Sequence, residues 1–156
     1  MAVADMFLKV HGVTGESGDA DHKGEIDVVS WSWEMESPME TMTGVAKGRA
    51  VVGELKIVKK VDASSPTLMS YLRTNKVVSQ ACLTVRKAGE KPLEYFRIEL
   101  QNAKVTSLKA ESDGDELMEH LQLGFSKMKV IYTPQGKTGG SGGGKVEFET
   151  DAHAGA

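Results

Sequence analysis

The chain has 156 residues, enough for one domain with a substantial core. Its hydrophobic share is 40%, its charged share 26% and its formal net charge −3, with no basic block, which argues against a protein that works by neutralising nucleic-acid phosphates. The one cysteine, Cys82, permits no internal disulfide, no apolar run approaches the roughly 20 residues of a membrane helix, and no signal peptide is visible.

Met6, Leu8 and Val10 alternate with Phe7, Lys9 and His11, which predicts a short first strand. A polar, glycine-rich loop follows, in which Asp19 and Asp21 favour turns. Residues 26–35 then alternate again. Asp27, Val29, Trp31, Trp33 and Met35 share one face; Ile26, Val28, Ser30, Ser32 and Glu34 share the other. Both tryptophans are expected to pack inward with their indole N–H groups satisfied, while Ser30, Ser32 and Glu34 meet water. Residues 37–48 form a long irregular segment punctuated by Pro38, Gly44 and Gly48, read either as adaptable contact surface carried by Met39 and Met42 or as a plain connecting loop.

Residues 50–61 read as a strand with Val51, Leu55, Ile57 and Val61 on one face and Glu54, Lys56 and Lys60 on the other. Ser64-Ser65-Pro66 is a helix start, with a serine to cap and a proline in the first turn. The helix is expected to run to about Asn75 on an apolar stripe of Leu68, Met69 and Leu72. Residues 81–86 and 93–101 form a hairpin around Ala88-Gly89-Glu90-Lys91, with Phe96, Ile98 and Leu100 on one face of the return strand. Residues 103–110 read as a further strand, and 111–115 as an acidic turn. Over residues 117–132 the apolar parity switches near Ser126 and Lys127, which implies a bulge or a passage from one sheet to another. After Pro134 the chain has linker composition, then a last strand around Val146 and Phe148. The expected organisation is a β domain over residues 1–135, a glycine-rich linker over 136–144, and a terminal strand with a frayed tail over 145–156. The fold class is mainly β: two packed antiparallel sheets forming a small barrel, with one short helix alongside.

Several chemical patterns fail on inspection. Gly139-Gly140-Ser141-Gly142-Gly143 matches a nucleophile elbow, but no strand-to-helix turn surrounds it. Gly136-Lys137-Thr138 lacks the earlier glycine of a phosphate loop, where Ile131 stands. Asp19 and Asp21 imitate the start of a calcium loop, but its third ligand position is Lys23 and its twelfth is Ser30. His11, His22, His120 and His153 have no zinc spacing, and His22 reads as a hydrogen-bonded loop residue. Asp113, Asp115, Glu116 and Glu119 read as a solvated turn, and Cys82 as a structural thiol. No catalytic residue, metal site or cofactor is expected, so the function class is binding or assembly. A monomeric barrel around a closed apolar pocket is the competing reading.

Met6-Phe7-Leu8-Lys9-Val10, Gly15-Glu16-Ser17, Asp21-His22 and the run Ile26-Asp27-Val28-Val29-Ser30-Trp31-Ser32-Trp33 resemble the haemolysin-coregulated protein (Hcp) family, the tube protein of the bacterial type VI secretion system. Ser65-Pro66-Thr67-Leu68-Met69, the stretch from Leu83 to Gly89, Glu94-Tyr95, Leu123-Gly124-Phe125 and Tyr132-Thr133-Pro134 extend the resemblance to about Pro134. It implies hexameric rings that stack into a hollow tube, driven out with a spike protein by a contractile sheath and carrying small effectors in the lumen. It also implies a cytoplasmic protein secreted without a signal peptide, with no membrane insertion. Ser30, Ser32 and Glu34 become lumen candidates. Met39, Met42, Thr43, Gly44, Val45 and Lys47 become ring-stacking candidates. Glu34 stands where many members have glycine, and the end from Gly136 departs from the commoner pattern. Only about 20 residues follow Pro134, too few for a fused catalytic domain.

Overall fold

The computed structural model describes residues 5–38, 50–87, 93–134 and 144–152. Among them are β1 (Asp5–Val10), β2 (Ile26–Asp27), β3 (Ser30–Ser32), β4 (Met35–Glu36), β5 (Val51–Val52), β6 (Leu55–Lys60), α1 (Ser65–Arg73), β7 (Val77–Lys87), β8 (Leu93–Asp113), β9 (Glu116–Gly124), β10 (Lys127–Tyr132) and β11 (Val146–Asp151). The Ala88–Lys91 turn, the two glycine motifs after Pro134, His153 and most of the expected linker lie outside the described residues.

The main sheet follows the order β2-β1-β7-β8-β9-β6-β3, and β10 branches from β8 with β11 on its far side. All pairings are antiparallel. β8 is common to two layers. Its first half pairs with β7 and β10, and its second half, from Lys104 onward, pairs with β9. The sequence reading divides this 21-residue strand in two, and its burial explains why. Ile98 and Leu100 face the core, and so do Ala103 and Val105, so the inward parity changes between them. Asn102, at φ 50°, supplies the turn that reverses it, a backbone angle asparagine tolerates better than most residues. A second irregularity lies between Val105 and Ser107. The acidic turn shrinks accordingly: residues 111–113 belong to the strand, and Gly114 makes the turn at φ 61°.

The expected barrel is not closed by a continuous ladder. The two ends of the sheet, β2 and β3, are joined by two residues of chain. At this seam Val28 N–H donates to Met6 O at 3.0 Å in β1, and Val29 N–H to Val58 O at 2.8 Å in β6. The expected single strand over 26–35 is therefore three short ones, and its faces exchange at the seam. Ile26 and Val28 are buried; Val29 and Ser30 are both exposed; Trp31 and Trp33 then pack against the same core as Ile26. Crossing from β1 to β6 costs one step of alternation. The tryptophans end half-buried rather than fully enclosed.

The interior is filled with side chains. Leu8, Leu55, Leu83, Ile98, Leu100 and Leu121 are almost wholly sealed from solvent. α1 lies against β8 and inserts Leu68, with Leu72 packed at the margin. It stops at Arg73, and Met69 is exposed rather than part of the buried stripe. Ser64 makes no side-chain capping bond. The strand expected over 50–61 is broken at Gly53, so Val51 belongs to a separate ribbon and is exposed. That ribbon, β4 paired with β5, stands apart from the main sheet. β9 and β10 bear out the parity switch: both pair with β8, on its second and first halves respectively. Leu117, at the strand end, is 59% exposed although Leu121 and Leu123 of the same parity are buried. Glu119, expected in a solvated turn, is fully buried on β9.

Candidate functional surfaces

Ser30, Ser32 and Glu34 are all exposed; the serines lie on β3, which pairs only with β6 among the described residues, and Glu34 follows it. What turns them outward is the pair of rings between them. Trp31 stacks on Phe96 across the barrel with ring centroids 5.3 Å apart and planes 16° apart. Trp33 donates its indole N–H to Gly53 O at 2.8 Å. With alternate residues anchored inward, the serines and Glu34 have no other direction available. Gly53 N–H returns a bond to Glu34 O at 2.9 Å, an approach so close that a Cβ at Gly53 would lie 2.7 Å from that oxygen. The polar edge is thus a rigid row on rigid elements.

Met39, Met42, Thr43, Gly44, Val45 and Lys47 lie outside the described residues. Their stem is the β4–β5 ribbon, with Met35 opposite Val52 and Glu36 opposite Val51. Met35 and Val51 are exposed large apolar residues. A second element with exposed apolar residues is the β10–β11 pair. Tyr132 lies opposite Val146 and Val130 opposite Phe148, on the parity that Met128 directs into the core. Toward the far end of the pair this apolar row runs out from under the barrel, leaving Val146 63% and Phe148 43% exposed.

The loop over residues 12–25 is strapped across the outer side of β1 and β7 by charge. Arg86, nearly buried, donates to Asp19 through Nη1 at 2.9 Å and Nη2 at 2.5 Å, and to Asp5 through Nη2 at 2.9 Å. The bonds to Arg86 hold the Asp19 carboxyl down at about 2, and the bonds to Asp19 and Asp5 raise the guanidinium further. His22 is buried with Nδ1 3.0 Å from Glu25 Oε2 and Nε2 2.6 Å from Glu94 Oε1. It stacks on Phe7 with centroids 4.3 Å apart and planes 9° apart, and Arg86 lies 5.1 Å from the same ring. His22 is a hydrogen-bonded loop residue, as its setting in the sequence suggests, but its side-chain partners are glutamates rather than Asp19 and Asp21. Phe7, on the same face of β1 as the exposed Lys9, is buried because the loop covers it. Gly15 makes that cover possible: its N–H donates to Gly24 O at 2.7 Å, and a Cβ there would lie 2.5 Å from Glu25 O.

Sequence reasoning missed Arg86, whose acidic partners lie 67 and 81 residues away. It missed Lys59 too, although its parity with Leu55 and Ile57 was a usable signal. Cys82 is half-buried on the outer face, where Arg97 Nη2 approaches its sulfur at 3.2 Å and is raised above its ordinary value chiefly by that bond. Among the described residues no group of three or more His, Cys, Asp or Glu side chains is arranged to hold a metal ion. The Asp19 carboxylate, which would lead a calcium loop, is turned to Arg86.

Residues 7–132 match the family model described as the type VI secretion system effector, Hcp. The chain belongs to the Hcp family. It is 40% identical to the protein hcp1 of Pseudomonas aeruginosa over 153 residues, covering 95% of this chain and 94% of that one. The crystal structure of Hcp1 from Salmonella typhimurium matches with a TM-score of 0.79 and 31% identity, over 100% of this chain and 99% of that one. A type VI secretion system effector from Yersinia pestis matches with a TM-score of 0.77 and 29% identity, over 94% of this chain and 99% of that one. Hcp membership makes the chain a component of type VI secretion, in a family known for structural rather than enzymatic work. No helix among the described residues is long and apolar enough to cross a membrane.

Proposed function

We propose that this chain is the ring-forming subunit of a type VI secretion inner tube. Its copies assemble into hexameric rings, the rings stack into a hollow tube, and small effectors travel in the lumen. The tube works with a spike protein and a contractile sheath, and passes from the bacterial cytoplasm to the outside or into a target cell. One observation carries assembly over ligand binding. Among the described residues leucine and isoleucine fill the interior that a ligand would need, while the exposed large apolar side chains include Met35 and Val51 on the β4–β5 ribbon and Val146 and Phe148 on β11. Head-to-tail rings join such unlike patches on neighbouring copies.

Ser30, Ser32 and Glu34 line the lumen in this reading. Met39, Met42, Thr43, Gly44, Val45 and Lys47, carried on the ribbon, join one ring to the next. Native mass by light scattering, with negatively stained particles beside it, tests the assembly. A six-fold mass with annular particles is expected; a strict monomer at high concentration overturns the reading. Ser32→Arg is expected to lower effector co-purification while rings persist, and loss of the rings themselves would count against a lumen position. Deleting residues 39–46 is expected to stop tube growth at single rings, and unchanged stacking would refute the role of that loop.

A further inference from the structure

Lys59 and Glu119 are charged, yet both are 0% exposed. They face each other directly in the β6–β9 ladder, inside the barrel wall. Lys59 Nζ meets three oxygens: Glu119 Oε1 at 2.9 Å, Ser65 Oγ at 3.1 Å and Asp62 Oδ1 at 3.1 Å. An ammonium has three hydrogens to donate, so its capacity is filled. Glu119 is less well served. Its Oε2 is buried with no hydrogen-bond partner among the described residues. Leaving a buried carboxylate oxygen unpaired is costly, and a buried ion pair is poor evidence of net stabilisation even when complete.

The arrangement makes more sense as placement. Two of the three oxygens on Lys59 belong to the start of α1. Ser65 is its first residue, and Asp62 in turn accepts from the Ser64 N–H at 2.9 Å and from the Ser64 hydroxyl. Ser65 Oγ also accepts the Asp62 N–H at 3.0 Å. With no side-chain cap on Ser64, these bonds are what fixes the helix start. The same segment reaches the strapped loop, because Glu16 Oε2 accepts the Ala63 N–H at 2.6 Å.

We infer that the Lys59–Glu119 pair is a positioning device: it sets where α1 begins on the barrel wall and, through Ala63 and Glu16, where the loop over residues 12–25 docks. An apolar pair of similar volume would hold β6 to β9 equally well but would leave the helix start without its anchor.

The test is the double variant Lys59→Met with Glu119→Leu, followed by hydrogen exchange of the assembled protein and by its unfolding midpoint. The midpoint is expected to stay level or rise. Amides of α1 and of residues 15–25 are expected to exchange at least ten-fold faster, while those of β7 are unchanged. Native exchange in both segments would overturn the inference. A double variant that fails to fold would overturn it too, since the pair would then hold the barrel itself. Ser65→Ala, which keeps the ion pair, separates the link to the helix: α1 exchange is expected to rise several-fold, and an unchanged rate would refute that link. Glu119→Leu alone leaves the Lys59 charge buried without its partner and is expected to lower the midpoint sharply; a midpoint equal to that of the double variant would refute the pairing.

Discussion

Phe7 offers a test of how the loop over residues 12–25 is held. Its ring is only 5% exposed, but what covers it is the loop rather than the opposite sheet. Phe7→Ala removes a nearly full aromatic burial, a change that costs about 3–5 kcal/mol in cores. A loop can collapse onto the gap more easily than a barrel wall can, so the lower end, about 3 kcal/mol, is expected. Phe7→Leu keeps most of the apolar area and removes only the ring's own contacts. The stack on His22 at 4.3 Å corresponds to roughly 0.5–1.5 kcal/mol. The approach of Arg86 at 5.1 Å adds roughly 0.5–1 kcal/mol. Together they set Phe7→Leu at about 1–2.5 kcal/mol, clearly below alanine. Urea unfolding followed by tryptophan fluorescence gives the global cost, at one fixed protein concentration because assembly shifts apparent stability. Limited trypsin cleavage after the exposed Lys23 reports the loop directly. Cleavage should accelerate in both variants, more in alanine. Equal costs for leucine and alanine, or an unchanged cleavage rate in alanine, would refute the account.

Other consequences follow from single contacts. Asp19 has its folded value lowered to about 2, so its contribution is fully present above the ordinary carboxylate range and fades as pH falls through about 2. The midpoint of Asp19→Asn should therefore change less than that of the parent between pH 4 and pH 2, measured by thermal unfolding; identical slopes would be the contrary result. Trp33→Phe removes the indole donor to Gly53 O and should destabilise by about 1 kcal/mol in denaturant unfolding, with no loss of folding. Gly15→Ala places a methyl 2.5 Å from Glu25 O and should release the loop, seen as faster cleavage after Lys23 without a large change in the barrel.

The strands were legible because most of them alternate, and the single helix because Ser65-Pro66 opens it. The errors cluster where alternation is interrupted. At Val29–Ser30 and Asn102 the chain shifts by one residue to change partners, and period-two reading then divides one strand or merges several. Charge was read worst. Lys59 and Glu119 were each assigned to a wet surface or left aside, because a buried ion pair is visible only when both partners are known, and these stand 60 residues apart. Arg86 escaped for the same reason, and so did the two glutamates that hold His22. Ser30, Ser32 and Glu34 meet water as the alternation implies, since the tryptophans beside them announce which way the strand faces. Nothing in local sequence could show that Phe7 would be covered by its own downstream loop.

The seam at residues 28–29 bears on the order in which the chain can fold. Its two flanks are made early in synthesis, but the strands that hold them are completed late. β1 is locked by β7, through pairs such as Leu8 with Leu83, and β6 by β9, through pairs such as Ile57 with Leu121. Closing loops of that length before any contact rewards them is slow. Until β9 has been synthesised, the tryptophans at the seam have only part of a core to enter. A nascent chain therefore carries an exposed Trp-Ser-Trp edge until β9 is available, and that interval is when it is open to capture by a chaperone or by another unfinished copy of itself.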